Sequence, residues 1–319
     1  MLSYLNKAMQ TDFPDLDSPK YEVKYVPTSM EEFSSPAFYL TPPADTLSPN
    51  TIYINRSSQV NPAELFTTLA HEGFPGHLYQ TLYYGNQNPA PIRNLLGCSG
   101  YIEGWATYVE SISYGYAASY FKVEPELLQL LWQNRSISLC LYSLLDIKIH
   151  EYGWTLAQVT QSLHGFGIAS DDTCKEIYQY IIENPANYLK YYLGYLNFMD
   201  LRDLAEKKAG DKFDKKEFHR FVLETGPAPF PVIEKYVLET IKKQKRLSVQ
   251  NFCTLNLFYK NQKTFSNSVK ISQESSAALH PDLPPVLLPF HHETPDDAGT
   301  PVFLFQSGKS TRLFCPLHF

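Results

Sequence analysis

A chain of 319 residues, 44% of them hydrophobic, is long enough to bury a sizeable core in one or two domains. Its 27 basic residues against 33 acidic ones leave a formal charge of -6, and no lysine–arginine cluster is interleaved with aromatics, so no nucleic acid partner is expected. The five cysteines, Cys98, Cys140, Cys174, Cys253 and Cys315, are odd in number, widely spaced and free of any Cys-x-x-Cys pair. They therefore read as reduced, mostly buried thiols rather than a disulfide framework or a cysteine-rich metal site.

Residues 1–60 read as irregular structure with short strands. Tyr21 to Val26 alternates as a half-buried strand does, and Ala37–Leu40 and Thr51–Asn55 flank a Pro/Asp/Ser-rich loop and predict a hairpin. A helix starts at Asn61-Pro62-Ala63-Glu64, with Asn61 as cap, Pro62 in the first helical position and Glu64 reaching back as in a capping box. It runs through Leu65 and Leu69 to His71-Glu72 and is disturbed at Pro75-Gly76. After a turn-rich stretch, a second helix contains Glu103 to about Tyr114. A third follows Pro125 toward His150, apolar enough to be buried on most sides. Further helices are predicted at 155–164, 171–183, 186–208 and 214–224, the last opened by a capping box at Asp214 and closed at Gly226. The fold class is mainly α with a small β element near the N-terminus. Three regions follow: 1–60 irregular with short strands, 61–245 helical, and 246–319 a poorly ordered or foreign tail rich in proline and without sustained period.

The chemistry concentrates in His71-Glu72-Gly73-Phe74-Pro75-Gly76-His77 and in Glu103-Gly104-Trp105-Ala106-Thr107-Tyr108-Val109-Glu110. Two neutral nitrogen ligands, one carboxylate ligand and one free carboxylate are the inventory of a hydrolytic zinc site. Histidines four apart on a helix share a face. Six apart they differ by roughly 240° and cannot chelate one ion. Pro75-Gly76 offers the remedy by breaking the helical ladder between them and turning His77 back toward His71. Glu72 is then the base that takes a proton from the attacking water and returns one to the leaving amine. Glu103 and Glu110 lie seven apart on one helix face, so either could reach the metal with the other supporting it.

At these residues the chain resembles the bacterial family called domain of unknown function 885, whose members carry His-Glu-x-x-Pro-Gly-His and a later Glu-Gly-Trp-Ala-x-Tyr-x-Glu. The second motif is also similar to the zinc-ligand helix of gluzincin aminopeptidases, and that likeness selects Glu103 as the third ligand. The resemblance implies a mostly helical, gluzincin-type zinc metallopeptidase. It extends over roughly residues 15–240 and takes in Asp146 and His150, Tyr191 and Gly194, Arg202, Phe218-His219 and Gly226, with Lys148, Gln179, Asn187 and Arg220 departing from the pattern. Tyr191 and His219 are the candidates for stabilising the developing oxyanion, and Arg202 and His150 for binding substrate. Longer members carry a helical N-terminal half, so the chain looks like the metal-bearing C-terminal half.

The reading is zinc-dependent peptide-bond hydrolysis, with Zn²⁺ on His71, His77 and Glu103, Glu72 as base and a peptide as substrate. The alternatives are an inactive zinc-binding structural or interaction module, and a zinc hydrolase of non-peptide amides or esters. Met1 to Lys7 has no apolar signal region and no run approaches the ~18 apolar residues of a membrane span, which points to a cytoplasmic address. A secreted or lipoprotein form is the alternative if sequence upstream has been lost.

Overall fold

The computed structural model describes residues 1–43, 45–57 and 60–243; the tail predicted at 246–319 lies outside the described residues. Its first element is one the sequence reading lacked, a helix α1 over Leu2–Ala8 with no side-chain cap to announce it. Leu2 and Leu5 bury its inner face in the main apolar cluster, which supplies the stability that seven residues alone could not. Strands β1 (Glu22–Tyr25), β2 (Ala37–Leu40) and β3 (Thr51–Ile54) form a three-stranded sheet in the order β1-β3-β2. β2 and β3 pair antiparallel, with Phe38 opposite Tyr53, as the hairpin expectation required, while β1 lies parallel to β3 with Glu22 opposite Thr51. The half-buried pattern expected for β1 is not met, because all four of its residues are exposed.

The remaining elements are helices, and their starts follow the local chemistry. Helix α2 (Pro62–Glu72) begins where Asn61 Oδ1 accepts from the Ala63 and Glu64 amides at 2.8 and 3.4 Å. α3 spans His77–Gly85, α4 Ser99–Phe121, α5 Pro125–His150, α6 Leu156–Gly165, α7 Asp171–Glu183, α8 Asn187–Ala209 and α9 Lys215–Thr225. A further helical stretch runs over 230–243. At α9 Asp214 accepts from the Glu217 amide at 3.0 Å, but the Glu217 carboxylate turns to Arg220 instead of back to the cap. Among the described helices a complete capping box stands at α6, between Thr155 and Gln158.

Helices α4 and α8 form the central pair, and glycines set how closely they approach. A Cβ on Gly104 would lie 2.5 Å from the Gly194 Cα, and one on Gly194 would lie 2.2 Å from the Gly100 carbonyl oxygen. The two backbones therefore touch directly, and any side chain at either glycine would push the helices apart. Around this crossing Trp105, Tyr108, Phe198, Phe13 and Tyr79 pack into one apolar cluster that also takes Ala37 and Ile52 from the sheet. Each such fully buried large side chain contributes roughly 1.5–3 kcal/mol. A second cluster joins α5, α6, α7 and α8 through Leu145, Val159, Leu163, Ile181 and Tyr191.

Two expectations about burial are corrected. α5 is not buried on most sides, because Leu127, Leu130, Leu131, Ile137, Leu144 and Ile147 are exposed. It packs through one face on α4, α7 and α8 and leaves an apolar stripe outward. Among the described cysteines only Cys174 is buried; Cys98 and Cys140 are half-buried, and all three are free thiols.

Candidate metal centre

The first motif ends one helix and starts another. α2 stops at Glu72 and α3 opens at His77, so the four residues between them form a sharp turn rather than a bulge within a continuous helix. Gly76 is the pivot. A Cβ there would lie 1.7 Å from the His71 carbonyl oxygen and 2.4 Å from that of Ala70, so the turn closes onto the end of α2 only without a side chain. Trp105 of α4 donates its indole N–H to the Pro75 carbonyl at 2.9 Å, and the buried Phe74 ring meets Tyr21 edge-on at 5.4 Å. These contacts pin the turn from both sides and bring the His71 and His77 rings to 4.9 Å, at 83° to each other.

Glu103, two residues before Trp105 on α4, completes the group. Its Oε2 lies 3.3 Å from His77 Nε2 and 3.7 Å from His71 Nε2, and the three ligand atoms all fall within 4.8 Å of one another. Ligands of one tetrahedral zinc stand about 3.4 Å apart when each is about 2.1 Å from the ion. The three side chains are only 8%, 11% and 11% exposed. Glu103 Oε2 is buried yet makes no hydrogen bond, so close approach to two imidazoles leaves it unaligned with either. An orphaned carboxylate oxygen beside two converging nitrogens fits a shared cation, and two histidines with one glutamate are a donor set suited to zinc.

A second layer fixes the ligands. His71 Nδ1 is 3.0 Å from Glu110 Oε2, and Glu110 Oε1 in turn accepts from Arg135 Nε at 3.3 Å. Spacing alone left the two glutamates equivalent; in the structure Glu103 faces the two Nε2 atoms, whereas Glu110 holds the far nitrogen of His71 and directs its Nε2 inward. Lys190 of α8 sits 3.4 Å from Glu103 Oε1. Glu72 is anchored from the sheet, accepting the Tyr39 backbone N–H at 2.9 Å. Tyr39 lies on β2, whose outward amide thus positions the expected base, a contact no local sequence signal announced.

The electrostatics favour a cation. Burial alone would depress His71, but the close carboxylates of Glu103 and Glu110 and the charge of Glu72 outweigh it and push the imidazole up to about 10. Burial would raise Glu103, but His71 and His77 hold its carboxyl far below the usual carboxylate range. Glu72 moves upward, because burial outweighs the attraction of His77 and His71. Three carboxylates thus surround the imidazoles, and a proton on His71 occupies charge space that a metal ion would fill.

Of the other sequence candidates, Tyr191 stands at the centre. Its ring lies 6.1 Å from that of His71, and its buried hydroxyl has no partner. Burial and then the charges of Glu103 and Glu72 push that hydroxyl far above its ordinary range, so it remains a proton donor. The remaining three are placed elsewhere. His219 is fully buried; its Nδ1 faces the Asp12 carbonyl oxygen at 2.6 Å and its Nε2 the Tyr108 hydroxyl at 2.9 Å, with Phe13 stacked on the ring at 4.2 Å. With both nitrogens engaged in the core it offers nothing to a substrate. Arg202 lies over the Tyr108 ring at 6.0 Å and pairs with Asp203 at 3.2 Å. His150 Nδ1 is 2.9 Å from Asp146 Oδ1, which also accepts the Ala186 N–H at 3.1 Å. That pair braces the end of α5 against the entry to α8, where Ala186 takes a left-handed φ of 61°.

The family described as bacterial proteins of unknown function, DUF885, matches residues 1–237. The chain belongs to this family. The match takes in α1, ahead of the stretch where the motifs suggested the likeness to begin. Among solved structures, a protein of Colwellia psychrerythraea, provisionally named a lipoprotein, is similar at 28% identity with a TM-score of 0.64, over 76% of this chain and 41% of its own. A protein of Shewanella oneidensis, also provisionally named a lipoprotein and of unknown function, is similar at 23% identity with a TM-score of 0.59, over 74% of this chain and 44% of its own. This DUF885 chain therefore spans less than half the length of either. No curated protein matches. Neither neighbour's name supports the expected cytoplasmic address. Among the described residues no helix is long and apolar enough to cross a membrane.

Proposed function

We propose that this DUF885 chain carries the metal centre of a zinc-dependent peptidase of gluzincin-like chemistry, with His71, His77 and Glu103 as ligands. The observation that carries the reading is the buried Glu103 Oε2, without a hydrogen bond and 3.3 and 3.7 Å from two imidazole nitrogens, with a fourth side chain, the carboxylic Glu72, next in sequence to His71. Zinc, when bound, supplies Lewis acidity that acidifies water and polarises the scissile carbonyl.

The protein's own groups do the rest. Glu72, raised by burial and held on one oxygen by the Tyr39 amide, takes the proton of the attacking water and passes it to the leaving amine. Tyr191 donates its unpartnered hydroxyl to the oxyanion that develops on the carbonyl, a contribution of about 3 kcal/mol in a water-poor site. Glu110 and Arg135 keep His71 in one tautomer and one orientation. The lipoprotein names of the two structural neighbours support an exported form over a cytoplasmic one for this chain.

The test is Glu72→Gln in the zinc-loaded protein, with cleavage of a mixed peptide library and of acylated amines followed by mass spectrometry and zinc measured in the same samples. Peptide cleavage should fall by about 10²–10⁴-fold while zinc stays bound. Retained cleavage would remove Glu72 from the chemistry, and cleavage of the acylated amines alone would make the substrate a non-peptide amide.

A further inference from the structure

Lys190 has no part in the motifs, yet the fold delivers it to the ligand set. It lies one turn before Gly194 on α8, and Glu103 immediately precedes Gly104 on α4, so the backbone contact between those two glycines brings Lys190 beside Glu103. The two carboxylate oxygens are then divided. Oε1 is 3.4 Å from the Lys190 ammonium, and Oε2 is the atom 3.3 Å from His77 Nε2 and without a hydrogen bond. The Lys190 side chain is 25% exposed and its ammonium also lies 5.0 Å from the centre of the Tyr191 ring, so its stem is held against the same wall that carries the unpartnered hydroxyl.

We propose that Lys190 is a positioning residue that occupies one oxygen of Glu103 and so presents the carboxylate to the metal through the other alone. The inference rests on the reading of His71, His77 and Glu103 as a metal centre. A glutamate free on both sides can grip a cation with two oxygens and fill a position that a substrate needs. An ammonium on Oε1 blocks that mode at the level of the ligand itself. The charge also serves, since an ammonium beside Glu103 offsets part of the negative charge gathered around the imidazoles.

Cobalt reports ligand number directly, because four-coordinate Co²⁺ absorbs visible light far more strongly than ions of higher coordination. The experiment compares the full chain with its Lys190→Met, Lys190→Ala and Lys190→Arg variants, each loaded with Co²⁺, recording the visible spectrum and the cobalt dissociation constant, with circular dichroism to verify folding. The wild-type and Lys190→Arg proteins should share one strong spectrum. In Lys190→Met and Lys190→Ala the absorption should drop by about twofold or more as Glu103 engages both oxygens. An unchanged spectrum in a folded Met or Ala variant that still binds cobalt overturns the role of Lys190 and leaves the metal centre standing. Failure of the wild-type chain to bind cobalt or zinc overturns both.

Discussion

Two histidines among the described residues are deeply buried, and they point in opposite chemical directions. His71 is surrounded by Glu72, Glu103 and Glu110 and is pushed up to about 10, against the depressing effect of its burial. His219 is buried among Phe13, Trp105 and Tyr108, with only a backbone carbonyl and a phenol on its nitrogens, and burial pushes it down to about 3. The same side chain at the same depth is a proposed ligand in one place and a core residue in the other. Burial does not make a site; anionic partners that converge without satisfying one another do.

The comparison can be broken most severely at the turn between α2 and α3. Gly76→Ala places a Cβ 1.7 Å from the His71 carbonyl oxygen, so the helix end must move. Chemical denaturation should show a loss of ~4 kcal/mol or more, together with loss of metal binding. Full stability in that variant would mean that the turn is not what sets the ligands.

A smaller effect is expected in the layer behind His71. Glu110→Gln and Arg135→Met leave the three ligands in place but loosen the tautomer and the ring. Zinc affinity, measured against a chelator, should weaken by about 10–100-fold in each. Because Glu110 joins the two, the double variant should lose less than the sum of the single losses. Additive losses would place Arg135 outside this chain of contacts.

The core histidine sets a pH dependence of its own. His219 has its folded value depressed below the ordinary 6.5, so neither state binds a proton well above 6.5, and the unfolded chain gains one first as the pH falls. Stability is therefore lost from 6.5 downward, at about 1 kcal/mol between pH 6 and pH 5. The groups that face it are the Asp12 backbone carbonyl and carboxylate, Lys215, Arg202 and the Tyr108 hydroxyl. The slope should disappear in His219→Phe. In the metal-free protein His71 acts in a different window and with the opposite sign, because its raised value adds stability that is complete below 6.5 and lost as pH climbs through about 10. A metal-free protein whose stability is flat from pH 6.5 to 5 would show that His219 is not held neutral.

The smallest effect belongs to Arg202. Its partner Asp203 is exposed, so Asp203→Asn should change stability by no more than about 0.5 kcal/mol, and Arg202→Gln should leave zinc affinity unchanged. A tenfold loss of affinity in Arg202→Gln would bring that residue back to the metal centre.

Much of this was legible in the sequence where the signal is local. Asn61 and Asp214 cap the helices they were expected to cap, Pro62 occupies the expected first helical position, and the six-residue histidine gap required the break that Pro75-Gly76 supplies. What the sequence could not hold is pairing at long range. His219 was a reasonable candidate until Asp12, 207 positions away, and Tyr108 were seen to take both its nitrogens. On spacing alone Glu103 and Glu110 were interchangeable, and only the likeness to the gluzincin helix preferred Glu103; the structure divides them by setting Glu103 at the two imidazoles and Glu110 against Arg135. Tyr39, which anchors Glu72, acts through a backbone amide and carries no side-chain signature. Lys190 depends on a glycine-to-glycine crossing that periodicity alone does not reveal. α1 lacks a side-chain cap, and its apolar face is too short to register as a pattern.

The central claim is that His71, His77 and Glu103 hold one zinc ion. It is tested most directly by equilibrium dialysis of the full chain against buffered zinc at neutral pH, with metal counted by mass spectrometry, beside His77→Ala and Glu103→Ala. One tightly held zinc per wild-type chain, lost in both folded variants, is the result predicted. Either no zinc in the wild-type protein, or the same zinc in the variants, would contradict it.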